Sequence, residues 1–252
     1  MSDVINVRDV SQRFGSHIVY HDISFTVGAG EVFAILGGSG SGKSTLMRQM
    51  IGLLPPADGT VEILGHDMYA AQADVLTHIG VMYQSGALFG SMTLLENVML
   101  PLQMHSTLPP AACREIARVK LGLVSLGHAA ELMPAEISGG MAKRAAIARA
   151  MALDPAIVFL DEPSAGLDPI TSADLDDLIL NLRKEMGITF VLVTHELPSI
   201  LAVADRCIML DSAAKCVIAE GDPRKLRDQS SNPTVRAFFR REVMPAPVGA
   251  AA

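Results

Sequence analysis

The chain has 252 residues, half of them hydrophobic, enough to bury a sizeable core in one large domain or two small ones. Lys and Arg number 20 against 27 for Asp and Glu, a formal net charge of −7, which argues against a nucleic-acid partner because such binding needs a basic footprint. No uncharged apolar run approaches the roughly 20 residues of a membrane-spanning helix. In chain order, Met1, Ser2, Asp3 and Val4 carry neither a basic stretch nor an apolar run behind it, so no secretory signal is expected. Short β-like runs follow at residues 4–7, 18–20 and 23–27. Residues 32–36 form a continuous apolar run, as expected of a strand buried on both faces. A glycine-rich loop comes next, then a predicted helix over 45–51, and strands over 60–64 and 79–83.

The middle third changes character. Pro109 and Pro110 can open a helix, whose first turn tolerates proline. Ile116, Val119 and Leu123 then recur at helical spacing, and residues 141–153, rich in Ala and Arg, predict a second helix that Asp154 and Pro155 stop. Residues 88–153 are therefore expected to be a helical insertion between strands of one sheet. Strand signals resume at 157–160 and 189–193. Between them Leu175, Leu178, Ile179 and Leu182 mark an amphipathic helix, with Gly187 past its end. Two more strands are expected at 207–210 and 216–219, and a short helix over 235–239. The tail through Pro245, Ala246 and Pro247 reads as disordered. Cys113, Cys207 and Cys216 make no paired metal or redox spacing, which suits packing residues in a reducing compartment. Strands alternating with helices predict an α/β fold with a mostly parallel core sheet, and a soluble, cytosolic protein.

The glycine loop, Gly37, Gly38, Ser39, Gly40, Ser41, Gly42, Lys43 and Ser44, fits the phosphate-binding pattern G-x-x-x-x-G-K-[ST] between a buried strand and a helix. Glycines let successive N–H groups turn toward phosphate oxygens, and the helix N-terminus adds its positive dipole end. Lys43 is expected to reach the β- and γ-phosphates and the Ser44 hydroxyl to ligate Mg²⁺; Thr45 follows in the same turn. Asp161 and Glu162 stand at the end of the 157–160 strand. Alone, two acids there read more simply as a solvated strand end. With the loop upstream, Asp161 reads as a Mg²⁺ holder and Glu162 as the carboxylate that polarises the attacking water. His195 follows the 189–193 strand and Gln84 follows the 79–83 strand. Parallel strands would bring both to the sheet edge where ligands bind, His195 to sense the γ-phosphate and Gln84 to contact Mg²⁺ or water.

These elements, in this order and with Ser138, Gly139 and Gly140 between them, resemble the nucleotide-binding domain of ABC transporters over about residues 3–225. The most discriminating stretch is Ile137, Ser138, Gly139, Gly140 and Met141, similar to the family's LSGGQ signature. Taken alone, a Ser-Gly-Gly turn is a helix cap. The resemblance implies that it completes the site of a second copy, with ATP between two chains in a head-to-tail dimer of two-fold symmetry. It further implies that Phe14 stacks on adenine, against the plainer reading of a packing aromatic. Ser164, Ala165, Gly166, Leu167 and Asp168 would connect the two sites, with Asp168 reaching across the dimer.

Within the family, the run from Tyr83 through Gln84, Ser85, Gly86, Ala87 and Leu88 to Phe89 resembles the ATPases of MCE-type (Mla) phospholipid transport systems. So do Leu132, Met133 and Pro134 ahead of the signature, Asp168, Pro169, Ile170 and Thr171 after it, and residues 232–239. Three positions depart: Met141 for the common Gln, Gly38 where proline is commoner, and Leu167 where the lipid-transport ATPase it most resembles has Gln. The implied architecture is a P-loop α/β domain over 1–228 with an N-terminal antiparallel β subdomain and the helical insertion, then a C-terminal extension over 229–252. The implied partners are a second copy, an integral permease of the MlaE kind, an MCE-domain protein of the MlaD kind and a small STAS-type subunit. The implied place is the cytoplasmic face of the inner membrane, bound peripherally. Another substrate on the same ATPase, a lipoprotein or a polar solute, and a non-transport ABC ATPase are the alternatives. Residues 85–89 fit either a contact strip for membrane subunits or ordinary packing.

Overall fold

The computed structural model describes residues 2–242. The tail around Pro245, Ala246 and Pro247, expected above to be disordered, lies outside the described residues. Strands β1 (Asp3–Phe14) and β2 (His17–Gly28) pair antiparallel across a tight turn. The three short runs of the sequence are thus one long hairpin. Register shifts along β1 let it carry polar residues, including Asp9 at φ 51°, without breaking the ladder.

Strand β3 (Val32–Gly37) is buried at every position and feeds α1 (Lys43–Met50). Strands β4 (Asp58–Ile63) and β5 (His66–Asp67) join the hairpin in an antiparallel sheet ordered β2-β1-β4-β5. A short α2 (Gln72–Leu76) leads to β6 (Ile79–Met82). The insertion follows as α3 (Leu94–His105), α4 (Pro110–Leu123) and α5 (Gly139–Ala150), before β7 (Ile157–Asp161). Thr93 starts α3 with a reciprocal cap: Glu96 N–H donates to Thr93 Oγ1 at 3.2 Å and Thr93 N–H to Glu96 Oε2 at 2.8 Å.

Helix α4 corrects one expectation. Of the residues whose spacing marked the helix only Ile116 packs against the core: Val119 is 63 % exposed and Leu123 is exposed too, and the fully buried positions are Cys113, Ala117, Lys120 and Leu121. Small side chains at 113 and 117 admit neighbouring helices, and Lys120 is drawn inward by its ion pair with Asp154.

The chain then forms α6 (Pro169–Met186), β8 (Thr189–Val193), α7 (Leu197–Val203), β9 (Arg206–Asp211), β10 (Cys216–Gly221), α8 (Pro223–Gln229) and α9 (Pro233–Arg240). The main sheet is ordered β10-β9-β3-β8-β7-β6, with every neighbouring pair parallel except β10 on β9. Strands β3, β7 and β8 are buried on both faces, as their continuous apolar runs require, while the edge strand β10 is only partly buried. On one face Val158, Leu160 and Leu192 pack under α3, α4, α5 and α6. On the other, Phe159, Val191 and Ile35 pack against α1 and the antiparallel sheet. Helix α9 packs Val235 and Phe239 against α7 and β9. Cys113 and Cys207 are buried and Cys216 partly so. No helix among the described residues is long and apolar enough to cross a membrane.

Candidate active site

The site lies where β3, β6, β7 and β8 all end. Gly37 closes β3 with φ 148°, and an added Cβ there would sit 2.5 Å from the carbonyl oxygen of Leu210 on β9, so only glycine turns the chain at that point. Gly38, Ser39 and Gly40 stand exposed on the rim, and Gly42 (φ 97°) is the N-cap of α1. Lys43, Ser44 and Thr45 make the first turn of α1, which holds no acidic residue, so the dipole end faces the loop unopposed. Lys43 folds back, its Nζ donating to the carbonyl oxygens of Gly37 at 2.8 Å and Gly38 at 3.0 Å. Burial lowers its pKa, and Glu162 and Asp161 push it back up. The Ser41 hydroxyl is buried with no hydrogen-bond partner.

Alternation along β7 aims Asp161 to the side of Ile157 and Phe159, toward α1. Burial, then the neighbouring Glu162, raises the Asp161 pKa, while Arg48, Lys43 and Lys143 oppose the rise. Glu162 leaves the strand with φ 46°, a left-handed conformation costly for a residue with a side chain. Its N–H donates to the Val193 carbonyl at 2.8 Å, which holds the β7 and β8 ends side by side. The carboxylate is thereby fixed at both oxygens: His195 Nδ1 lies 2.7 Å from Oε1, and the Thr194 hydroxyl donates to Oε2 at 3.0 Å. Glu162 is nearly buried and His195 exposed, so the pair leads from the interior to the cleft mouth.

A cleft of about 530 Å³, within the usual range for small-molecule sites, gathers Gly37, Gly38, Ser39, Gly40, Lys43, Ser44, Gln84, Asp161, Glu162 and His195. Ser41, Gly42 and Thr45 support the loop from behind without lining it. Phe14 does not line it either; it stands 53 % exposed at the end of the hairpin. That hairpin abuts the loop all the same, since an added Cβ on Gly42 would lie 2.6 Å from the Tyr20 ring. The cleft fits a triphosphate: Cβ atoms added at Gly38 or Gly40 would meet nothing within 4 Å, so the loop face is open to a ligand. Ser44, Gln84 and Asp161 offer the hard oxygen donors that suit Mg²⁺ shared with phosphates. Among the described residues no cluster of three or more His, Cys, Asp or Glu is arranged as a separate metal site.

Ser138, Gly139 and Gly140 lie elsewhere. Ser138 caps α5, its hydroxyl accepting from the Met141 N–H at 3.3 Å. A Cβ on Gly140 would sit 2.5 Å from the Thr171 methyl, so this turn is pressed onto the start of α6. Asp168 caps α6 there, accepting from the N–H groups of Ile170 and Thr171 at 3.0 and 3.1 Å, and these bonds with the Thr171 hydroxyl lower its pKa. None of these residues borders the chain's own cleft.

Four residues at the cleft were not foreseen. Thr194, fully buried, holds Glu162. Lys143, 8 % exposed, donates from Nζ to the carbonyl oxygens of Gln84 at 2.5 Å and Glu162 at 3.1 Å. Phe238 and Arg241, at the end of α9, complete the cleft lining. A threonine just before His195 and a lysine in an alanine-rich helix were the available signals, and neither is specific.

The ABC transporter family profile matches residues 20–165. The chain is 41 % identical over 239 residues to the probable ribonucleotide transport ATP-binding protein mkl of Mycobacterium tuberculosis, matching 93 % of this chain but only 66 % of that relative's length. It is 39 % identical to the intermembrane phospholipid transport system ATP-binding protein MlaF of Escherichia coli K12, covering 95 % of this chain and 89 % of that one. An ATP-binding cassette solved as a dimer in a post-hydrolysis state with ADP and Pi superposes with TM-score 0.75 at 31 % identity, over 86 % of this chain and 98 % of that one. The protein cbiO1 of Clostridium perfringens, part of the ABC transporter complex cbiONQ, gives TM-score 0.81 at 25 % identity, over 96 % and 100 %.

Proposed function

The chain belongs to the ABC transporter family of ATP-binding subunits, and on that premise we propose that it hydrolyses ATP to drive MCE-type phospholipid transport between membranes. The observation that carries the hydrolytic reading is the single cleft in which the Lys43 loop faces Glu162, itself held by His195 and Thr194. Lys43 exchanges the Gly37 and Gly38 carbonyls for the β- and γ-phosphates. Ser44, Asp161 and Gln84 would hold Mg²⁺, which when bound would supply charge to screen the phosphate oxygens. Glu162 accepts a hydrogen bond from water and orients it; His195 and Thr194 keep the carboxylate from turning away. Phe14 takes the adenine, a role supported by its exposure at the end of the hairpin whose Tyr20 abuts the loop, since a packing aromatic would be buried.

Ser138, Gly139, Gly140 and Asp168 serve the nucleotide of a second copy. Their outward placement beside one another, away from this chain's cleft, supports the head-to-tail dimer. The nucleotide-binding domain spans 1–228 and a C-terminal extension 229–252. The chain acts peripherally at the cytoplasmic face of the inner membrane, under a permease of the MlaE kind, with an MCE-domain protein of the MlaD kind and a STAS-type subunit. The groove between α3 and α4, lined by Met92, Met99, Leu100 and Arg114, receives the permease. Phe89, half exposed, extends that surface, and Leu88 packs inward.

Glu162→Gln is the direct test: it should bind ATP, accumulate as a dimer and lose turnover by about 100-fold or more. Hydrolysis at the wild-type rate would remove Glu162 from its role. The lipid assignment is tested apart, by purifying the complex from membranes. An MCE-domain protein and a permease are expected. Co-purification of a solute-binding protein would favour the second reading, a polar solute, which the name of the mycobacterial relative supports.

A further inference from the structure

We propose that Lys143 is a positioning residue for hydrolysis: its ammonium ties the backbone of the Gln84 loop to the backbone of Glu162, and so couples the signature helix α5 to the chain's own cleft. The proposal rests on the hydrolytic reading above. Strands β6 and β7 pair in parallel, with Met82 opposite Leu160. Gln84 and Glu162 each stand two residues past that last rung, where the two strands no longer bond to one another. Glu162 turns away there, giving its N–H to Val193 on β8. The Glu162 carbonyl accepts within its own turn from the Ala165 N–H at 3.2 Å, and Lys143 Nζ donates both to it and to the Gln84 carbonyl, at 3.1 and 2.5 Å, so joining the two segments.

A buried lysine that merely satisfies two carbonyls is the plainer account. Three features go beyond it. The two carbonyls belong to the two residues whose side chains flank the expected water position in the cleft. Lysine bonds to neutral acceptors are charge-assisted, stronger than neutral pairs, and so resist the loop's movement. Helix α5 also grips the same loop a second time, with Arg149 donating to the carbonyls of Gly86 at 2.9 Å and Ala87 at 2.6 Å. Lys143 lies five residues after the Ser138 cap, about 7 Å along the helix axis. One short rigid rod therefore presents its N-terminus to the partner's nucleotide and its second turn to this chain's Glu162. A shift of α5 when the partner's nucleotide binds must move the Gln84 loop and Glu162 together.

The experiment compares Lys143→Met and Lys143→Arg with wild type in the full chain, reading kcat, KM for ATP, equilibrium ATP affinity, melting temperature, and amide hydrogen exchange without nucleotide. Lys143→Met should lower kcat about 10- to 100-fold while KM and affinity stay within about threefold. Exchange should quicken over residues 84–87 and 162–165 and not elsewhere. Lys143→Arg, which keeps a charged donor, should restore kcat to within about threefold of wild type and restore slow exchange. The proposal is overturned if Lys143→Met keeps kcat within about twofold. It is equally overturned if both variants lose kcat, affinity and melting temperature together, which is the signature of a structural role alone. Wild-type protein that binds ATP without hydrolysing it would sink the hydrolytic reading and this role with it. An active wild type with an indifferent Lys143→Met sinks only the role of Lys143.

Discussion

Two helix N-termini in this molecule are shaped for phosphate, and they are built in opposite ways. The start of α1 is set into the end of a sheet, on glycines with positive φ, against carbonyls, acids and a lysine of its own chain. The start of α5 is capped by Ser138, pressed by Gly140 onto Thr171, and faces none of them. The first carries everything a phosphate needs on one side; the second carries only a cap and a dipole. The difference teaches that the first end holds its own means of binding phosphate, while the second, in the function proposed above, would act on a nucleotide held by another copy.

Lys43→Ala attacks the self-sufficient end and should have the largest effect, weakening ATP binding by about 100-fold in a fluorescence titration. Unchanged affinity would mean that the α1 end is not the primary site. A mixture of Lys43→Ala with Ser138→Arg, each inactive alone, sharpens the contrast: mixed dimers keep one composite site intact, so about a quarter of wild-type turnover should return. No return would place each site within one chain. Ser138→Ala should cut turnover by about tenfold and leave ATP affinity alone, with about 1 kcal/mol of stability lost with the cap. Thr194→Val frees one Glu162 oxygen and should slow turnover by about fivefold at unchanged KM; a rise in KM alone would assign Thr194 to binding.

The smallest effect on turnover concerns Asp176, buried in α6 behind the Asp168 loop. Burial raises its pKa from 3.8 to about 6, with the Ser199 hydroxyl opposing and Asp177 adding to the rise. An acid whose folded pKa lies above its unfolded one costs nothing below the unfolded value and a growing amount as pH rises to the folded value, constant beyond it. Asp176→Asn should therefore raise stability by up to about 3 kcal/mol at pH 8 and hardly at all at pH 4, read by thermal melts. A gain of equal size at both pH values would refute the titration.

The central strands of the main sheet were legible because each is a short, largely apolar run followed by a polar loop. The same property hid the small elements: β5, α2, α7 and α8 are too short for a period to register. Helix α4 was found from Ile116 and two exposed residues rather than from its fully buried positions, because Cys113 and Ala117 are weak markers and Lys120 reads as solvent-facing until Asp154 meets it. At the site, Gly37 to Ser44, Asp161, Glu162, Gln84 and His195 were readable from motif and strand-end position, and the parallel register brings them together. Thr194, Lys143 and Arg241 were not, because what they contact is backbone, a neighbour's carboxylate, or space enclosed by a helix more than 190 positions after the loop.

The pairing of β7 with β8 sets Asp161 opposite Val193, one position before Glu162 and two before His195. Side chains on a strand alternate, so one residue gained or lost in either segment reverses which face each later side chain occupies. An in-frame deletion of a single codon within 157–161 or 189–193 should thus abolish the enzyme while leaving its composition almost untouched. The links between α3 and α4, on the exposed insertion, carry no such constraint. Scanning one-codon deletions would draw this map directly, with intolerance concentrated in ten codons of the sheet.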